Sequence, residues 1–208
     1  MQESLFKVNP SCPLESLGIP LELQNEICGI DEAGRGCVAG SLFVCGVILK
    51  IKIPQKLLES LNDSKVLSAK RREILADELK KYCAFYIVKK SASEIDKSGL
   101  SACLKEALRE IVESLAASFY VFDGNCNFGI PHLKTLIKGD SKLKAISAAS
   151  ILAKVAKDAE MRELDKIYPQ YKFAKNKGYG SAAHIEAIRQ FGLCKAHRKS
   201  YKIKRLNA

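Results

Sequence analysis

Two adjacent carboxylates, Asp31 and Glu32, end the apolar approach Ile27-Cys28-Gly29-Ile30, and Ala33-Gly34-Arg35-Gly36 follows at once. Neighbouring carboxylates of this kind offer hard oxygen ligands to Mg²⁺ or Mn²⁺. A glycine-flanked arginine presents bare backbone and a planar cation, both suited to a phosphate or a sugar. Two further acids repeat the setting. Asp123 closes Phe119-Tyr120-Val121-Phe122 and precedes Gly124; Asp140 follows Gly139 behind Thr135-Leu136-Ile137. If the three apolar segments are sheet neighbours, their ends gather Asp31, Glu32, Asp123 and Asp140. Crowded like charges raise one another's pKa, which makes such a site costly unless a divalent cation offsets the repulsion. Two ions about 4 Å apart suit phosphodiester hydrolysis, one activating water and the other stabilising the leaving oxygen. The chemistry to expect is that of a metal-dependent nuclease. One geometric condition attaches to it: successive strand residues point to opposite faces, so Asp31 and Glu32 share a site only if the strand bends between them.

The elements that must position these residues follow from the patterning. Glu26 to Asp31 and the nearly continuous apolar run Ser41 to Leu49 read as strands that pair as a hairpin. A polar turn, Asn62-Asp63-Ser64-Lys65, precedes Ser68, which has the character of an N-cap for a helix through about Lys81 with Ile74, Leu75 and Leu79 on its apolar face. Cys83 to Val88 is a third strand, and Ser101 opens a helix whose apolar positions Leu104, Ala107, Leu108, Ile111, Val112 and Leu115 keep the helical period. Phe119 to Phe122 and Thr135 to Ile137 are two more strands. A long helix runs from Leu143 to about Tyr168, closed by Pro169, and a last amphipathic helix spans Ala182 to Gln190. The expected class is α/β. Residues 1–25, with Pro10, Pro13 and Pro20, form an irregular arm with a short turn of helix. A helical C-terminal region over about 165–208 ends in the basic tail Lys195, Arg198, Lys199, Lys202, Lys204 and Arg205.

A length of 208 residues suits a single domain, and 34 basic against 23 acidic residues leave a charge of +11. That excess favours a polyanionic partner, chiefly nucleic acid. The eight cysteines contain no C-x-x-C pair, which argues against a zinc cluster. No run reaches the ~18 apolar residues of a membrane span, and no signal segment opens the chain. The expectation is a cytoplasmic protein with reduced thiols and no membrane association. His132, His184 and His197 are further candidate ligands or proton carriers, although packed histidines are commoner; Asp158 is a further acid, for which an ion pair is the commoner role.

In order along the chain, Asp31-Glu32-Ala33-Gly34-Arg35-Gly36, Asp63-Ser64-Lys65, Phe122-Asp123-Gly124, Lys138-Gly139-Asp140 and Ser147 to Lys154 resemble the successive motifs of the bacterial ribonuclease HII family. So do Lys177-Gly178-Tyr179-Gly180 with His184, and His197-Arg198-Lys199-Ser200-Tyr201. The resemblance implies an RNase H-like fold: a central mixed five-stranded sheet flanked by helices, with a helical C-terminal region. It also implies a two-metal endonuclease, using Mn²⁺ or Mg²⁺, that cuts the RNA strand of RNA–DNA hybrids. Such an enzyme cuts duplex DNA 5′ of an embedded ribonucleotide, leaves 3′-hydroxyl and 5′-phosphate ends, and removes misincorporated ribonucleotides and RNA primers. Asp31, Glu32, Asp123 and Asp140 match the family's metal-binding carboxylates. Gly34, Arg35 and Gly36 match the turn that reads the ribose 2′-hydroxyl, the group that distinguishes RNA from DNA. Tyr179 matches the tyrosine that packs against the next, deoxy sugar. Lys65, Ser150 and Lys154 are candidate phosphate contacts, and the basic tail a candidate contact to the DNA backbone. Cys37 and Ser41 stand where many relatives carry proline. A monomer is expected. The alternatives are a type 3 ribonuclease H, which normally carries an additional N-terminal substrate-binding domain, and a non-catalytic nucleic-acid-binding module.

Overall fold

A computed structural model describes residues 13–50, 52–61 and 67–202. The described residues form a mixed five-stranded sheet in the order β3-β2-β1-β4-β5. Its strands are β1 (Ile27–Ala33), β2 (Leu42–Leu49), β3 (Cys83–Lys90), β4 (Phe119–Asp123) and β5 (Leu133–Leu136). β1 pairs antiparallel with β2, as the two apolar runs predict, and β2 pairs antiparallel with β3; β1 and β4, and β4 and β5, are parallel. The helices are α1 (Pro13–Ser16), α2 (Gln55–Ser60), α3 (Ala69–Lys81), α4 (Ala92–Ser98), α5 (Leu100–Ser114), α6 (Lys144–Ile167), α7 (Phe173–Asn176) and α8 (Ala182–Phe191). The sheet with its flanking helices is the RNase H-like architecture that the motifs imply.

Alternation along the central strands divides the core in two. Cys28, Ile30, Val44 and Phe122 pack against Leu104, Leu108 and Ile111 of α5. On the other face Phe43, Cys45 and Val47 meet Ala148, Ala149 and Leu152 of α6 together with Leu75 and Leu79 of α3. Small residues let α6 lie close to β1. A Cβ on Gly29 would come within 2.3 Å of the Ile146 backbone nitrogen. A third cluster, around Met161, Tyr171, Phe173, Ile185 and Ile188, joins the end of α6 to α7 and α8.

Some boundaries differ from the sequence expectation. The Ser68 hydroxyl does cap α3, accepting from Arg71 N at 3.4 Å, but the helix turns Ile74 outward, 57% exposed, and buries Arg72 instead. The reason is a partner across the fold: Arg72 donates to Leu67 O at 2.9 Å and lies 3.6 Å from the Asp158 carboxylate. β5 lies earlier than Thr135 to Ile137, because Leu133 and Leu136 are the residues it buries, and Ile137 is exposed. α2 and α4 have no counterpart in the periodicity reading. α4 is announced by a capping box, the Ser91 hydroxyl accepting from Glu94 N and the Glu94 carboxylate from Ser91 N. The turn Asn62 to Lys65, the start of the N-terminal arm, and Lys204 and Arg205 lie outside the described residues.

Candidate active site

The sheet brings two of the four acids side by side. Ile30 lies opposite Phe122 in the parallel β1–β4 ladder, so Asp31 and Asp123 are the next residues at its C-terminal end. Asp123 then gathers the third segment. Its Oδ1 accepts from Gly139 N at 3.1 Å and its Oδ2 from Asp140 N at 3.2 Å, in a 3-10 turn over Gly139–Ser141. Lys138 enters that turn with φ +57°, which swings the chain round from β5. Asp140 is therefore held to Asp123 through its backbone.

Asp31 is 9% exposed, and its Oδ1 accepts from Glu32 N at 2.8 Å. Burial pushes its carboxyl up to about 8; the Glu32 and Asp123 charges add to that, while a hydrogen bond from the Ser150 hydroxyl opposes it. Burial also raises the Glu32 carboxyl, Arg35 opposes the rise, and Asp123 adds to it. Glu32 Oε1 takes a long contact from Arg35 Nη1 at 3.5 Å, but Glu32 Oε2 is buried with no hydrogen-bond partner. No bulge separates Asp31 from Glu32, since the ladder to β2 runs unbroken from Cys28 to Ala33. Both side chains nonetheless sense Asp123. Among the described residues no three acidic, histidine or cysteine side chains already form a metal cage. The donor set nevertheless fits a hard divalent ion. It is all oxygen, its members repel one another, and one buried oxygen lacks any donor.

Beside these acids lies a cavity of about 540 Å³. Glu32, Gly34, Arg35 and Gly36 form one wall. Ser150, Lys154, Lys157 and Asp158 of α6 form another, and Tyr179 with Lys177 closes the third. Tyr179 is half exposed, with the Lys157 ammonium 4.6 Å from its ring centroid. Partial burial, then the Arg72 and Lys157 charges, lower the Lys154 ammonium. Ser150 lines the cavity close to Asp31, whose carboxyl its hydroxyl keeps from rising further. Lys65 is outside the described residues. Asp158 pairs with the buried Arg72.

The turn and the tyrosine are stitched together. Gly178 O accepts from Val38 N at 2.9 Å and from Ala39 N at 3.2 Å. A Cβ on Gly178, whose φ is +79°, would meet Ala39 O at 2.4 Å, so only glycine permits the approach. Tyr179 O accepts a hydrogen bond from His184 Nδ1 at 2.8 Å. Cys194 N donates to His197 Nδ1 at 3.0 Å, which leaves the His197 proton on Nε2, facing His184 Nε2 at 3.1 Å. Each ring thus has one donor and one acceptor, and both are buried. Burial, and for His197 the neighbouring ring, depress their pKa, His197 to about 4. His184 and His197 are packed side chains; His132 is exposed, with φ +62°.

The family model for ribonuclease HII matches residues 28–204. The chain belongs to the ribonuclease HII family. A ribonuclease HII of Campylobacter hominis is 54% identical over 183 residues, covering 87% of this chain and 96% of its own. One from Sulfurovum sp. (strain NBC37-1) is 46% identical over 188 residues, covering 89% and 97%. Among solved structures, the PCNA:RNase HII complex from Archaeoglobus fulgidus superimposes with a TM-score of 0.76 at 28% identity, covering 88% of this chain and 97% of that one. The protein is accordingly an endonuclease of the ribonuclease H type, with the divalent-metal dependence of its family. The two alternatives, a type 3 enzyme and a non-catalytic binding module, give way to that assignment.

Two contributors escaped the sequence reading. Lys157, which the sequence reading did not single out, is buried beneath Tyr179. Arg198, expected on the DNA backbone as part of a basic tail, is fully buried.

Proposed function

We propose that the cavity at the end of β1 cuts the RNA strand of RNA–DNA hybrids and, in duplex DNA, the phosphodiester 5′ of an embedded ribonucleotide. The products carry 3′-hydroxyl and 5′-phosphate ends. The observation that carries this reading is the pairing of Asp31, raised to about 8, with the orphaned Glu32 Oε2, directly beside the Gly34-Arg35-Gly36 turn. Asp31, Glu32, Asp123 and Asp140 would hold divalent cations, Mn²⁺ or Mg²⁺. When bound, these supply an activated water and charge stabilisation at the leaving oxygen. The remaining work belongs to the chain. Gly34 to Gly36 present backbone to the ribose 2′-hydroxyl. Tyr179 offers its ring to the following sugar, where a 2′-hydroxyl would crowd it. Lys154, with Lys157 and Lys177 nearby, draws the strand's phosphates into the cavity. Lys195, Lys199 and Lys202 are exposed, and they would contact the backbone of a duplex that runs past the cut.

The enzyme acts as a monomer and in the cytoplasm. The described cysteines are all free thiols, which accords with a reducing compartment. None of the described helices is long and apolar enough to cross a membrane.

The test is a duplex carrying one ribonucleotide, incubated with Mg²⁺ or Mn²⁺. Wild type cuts on its 5′ side and Asp31→Asn does not; absence of that cut in wild type, or its persistence in the variant, overturns the reading. Tyr179→Ala should lose junction cleavage more than affinity for duplex, and equal loss of both would assign the tyrosine a structural role only.

A further inference from the structure

Arg198 is an anomaly in a chain whose other basic side chains mostly lie in water. It is 0% exposed, and the acceptors that meet it are carbonyl and hydroxyl oxygens. Its Nη2 donates to Gly34 O at 2.7 Å, its Nη1 to Arg35 O at 3.1 Å and to the Tyr201 hydroxyl at 3.1 Å, and its Nε to Gly40 O at 3.0 Å. Burying a guanidinium without a carboxylate partner is expensive, and an apolar side chain of like volume would fill the space at less cost. What no apolar side chain supplies is a rigid fork of donors that fixes several carbonyls at once.

Those carbonyls belong to the turn assigned to the 2′-hydroxyl. In a trans peptide the C=O of one residue and the N–H of the next point in opposite directions. Turning the Gly34 and Arg35 carbonyls onto Arg198 therefore turns the Arg35 and Gly36 amides away from it. Neither amide is hydrogen-bonded to another described residue, and Gly34, Arg35 and Gly36 all line the cavity. The neighbours of Arg198 complete the link. Arg198 N donates to Val38 O at 2.9 Å, and His197 reaches Tyr179 O through His184. Residues 197 and 198 thus hold the turn and the tyrosine together.

We propose that Arg198 is a positioning residue for ribonucleotide recognition: its guanidinium fixes the Gly34–Gly36 peptides so that their amides face the substrate sugar. The inference rests on the proposed function of that turn. It calls for full-length Arg198→Met and Arg198→Lys, each measured with wild type by thermal melting, by hydrogen exchange of residues 34–40, and by kcat and KM on a duplex with one ribonucleotide. Arg198→Met should lose protection in residues 34–40 and lose kcat on the order of 100-fold, the cost of a small misplacement, with KM within about threefold of wild type. Lysine keeps the charge but not the fork, and should recover roughly a tenth of the lost rate. In a tract of four ribonucleotides the variants should also scatter their cuts over more phosphodiesters than wild type. If Arg198→Met does not fold, Arg198→Lys carries the same measurements. Wild-type exchange and cut position, or a rate loss equal to the unfolded fraction, would overturn the proposal. Because exchange is read without substrate, its outcome separates failure of the clasp from failure of the assigned activity, which would show as no 5′ cut by wild type.

Discussion

Asp31 sits where burial and two neighbouring carboxylates all disfavour its charge, and its carboxyl is pushed up to about 8 from an ordinary 3.8. The sign of the resulting pH dependence follows from linkage. A folded pKa above the unfolded one means that the native state holds the proton more tightly, so this group's contribution to stability is full below about pH 4 and is lost as pH rises through about 8. In metal-free buffer at pH 8, Asp31→Asn should therefore be more stable than wild type, by about 2 kcal/mol, while losing at least ~100-fold in cleavage with metal present. Denaturant unfolding in EDTA checks the first outcome and single-turnover cleavage the second; a destabilised Asn variant at pH 8 would show that the repulsion is relieved by something other than protonation or metal. Asp31, Glu32 and Asp123 are legible in the sequence because each follows an apolar strand run and precedes a glycine turn, and the C-terminal ends of paired parallel strands converge. Asp140 is legible for its glycine, although it reaches the site through the Asp123 carboxylate and a 3-10 turn rather than on a strand. Arg198 was not legible. In a tail rich in lysine and arginine nothing local marks the single cation that turns inward; the carbonyls it binds lie 158 to 164 residues away.

At the scale of elements, α6 organises the fold, and the sequence announces it through its run of small residues from Ala145 to Ala153. The strands were legible for the same reason as the acids, through apolar runs bounded by turns. α2 and α4 were not, being helices of six and seven residues, too short to show a period, with a capping box at the start of α4. α6 presses its backbone against Gly29 of β1, where an added Cβ would strike the Ile146 and Ala145 backbone at 2.3 and 2.4 Å. Backbone cannot step aside as a flexible side chain does. Gly29→Ala should cost ~3 kcal/mol and lower Tm by roughly 6–12 °C. An unchanged Tm would mean that α6 rides farther from β1 than described. The C-terminal elements carry a different signature. His184 and His197 face each other, with Cys194, Tyr171 and Phe173 around them and, among the described residues, no carboxylate paired with either. His197 keeps its neutral form in the folded protein down to about pH 4, against 6.5 unfolded, so stability present above pH 6.5 is lost as pH falls towards 4. Melting between those values should show that loss, roughly 2–3 kcal/mol, and His197→Gln should flatten it.

Over the whole molecule the charge of +11 is not evenly used. The cavity beside the acids is lined by Arg35, Arg72, Lys154, Lys157 and Lys177 against Glu32 and Asp158. Arg35 and Arg72 face those two acids and Lys157 lies buried beneath Tyr179, which leaves Lys154 and Lys177 to meet phosphates. A nuclease has to solve this problem at the scale of the protein. Its catalytic carboxylates repel the substrate backbone, and the surrounding cations must more than compensate before any metal-assisted step begins. If the lysines do so by contacting phosphates, each contact releases condensed counterions, and log K for duplex falls against log salt with a slope of about −0.9 per phosphate neutralised. Binding of an uncut duplex in EDTA should therefore weaken steeply with salt. Lys154→Ala and Lys177→Ala should each reduce the magnitude of the slope by about 1. Both substitutions should weaken an all-DNA duplex and a ribonucleotide-containing one equally, because phosphates carry no sugar identity. Arg198→Met should leave that slope untouched, since a guanidinium sealed behind the turn meets no phosphate. A slope insensitive to both lysines would place the electrostatic footprint on the exposed Lys195, Lys199 and Lys202, and neutralising those three would then be what flattens it.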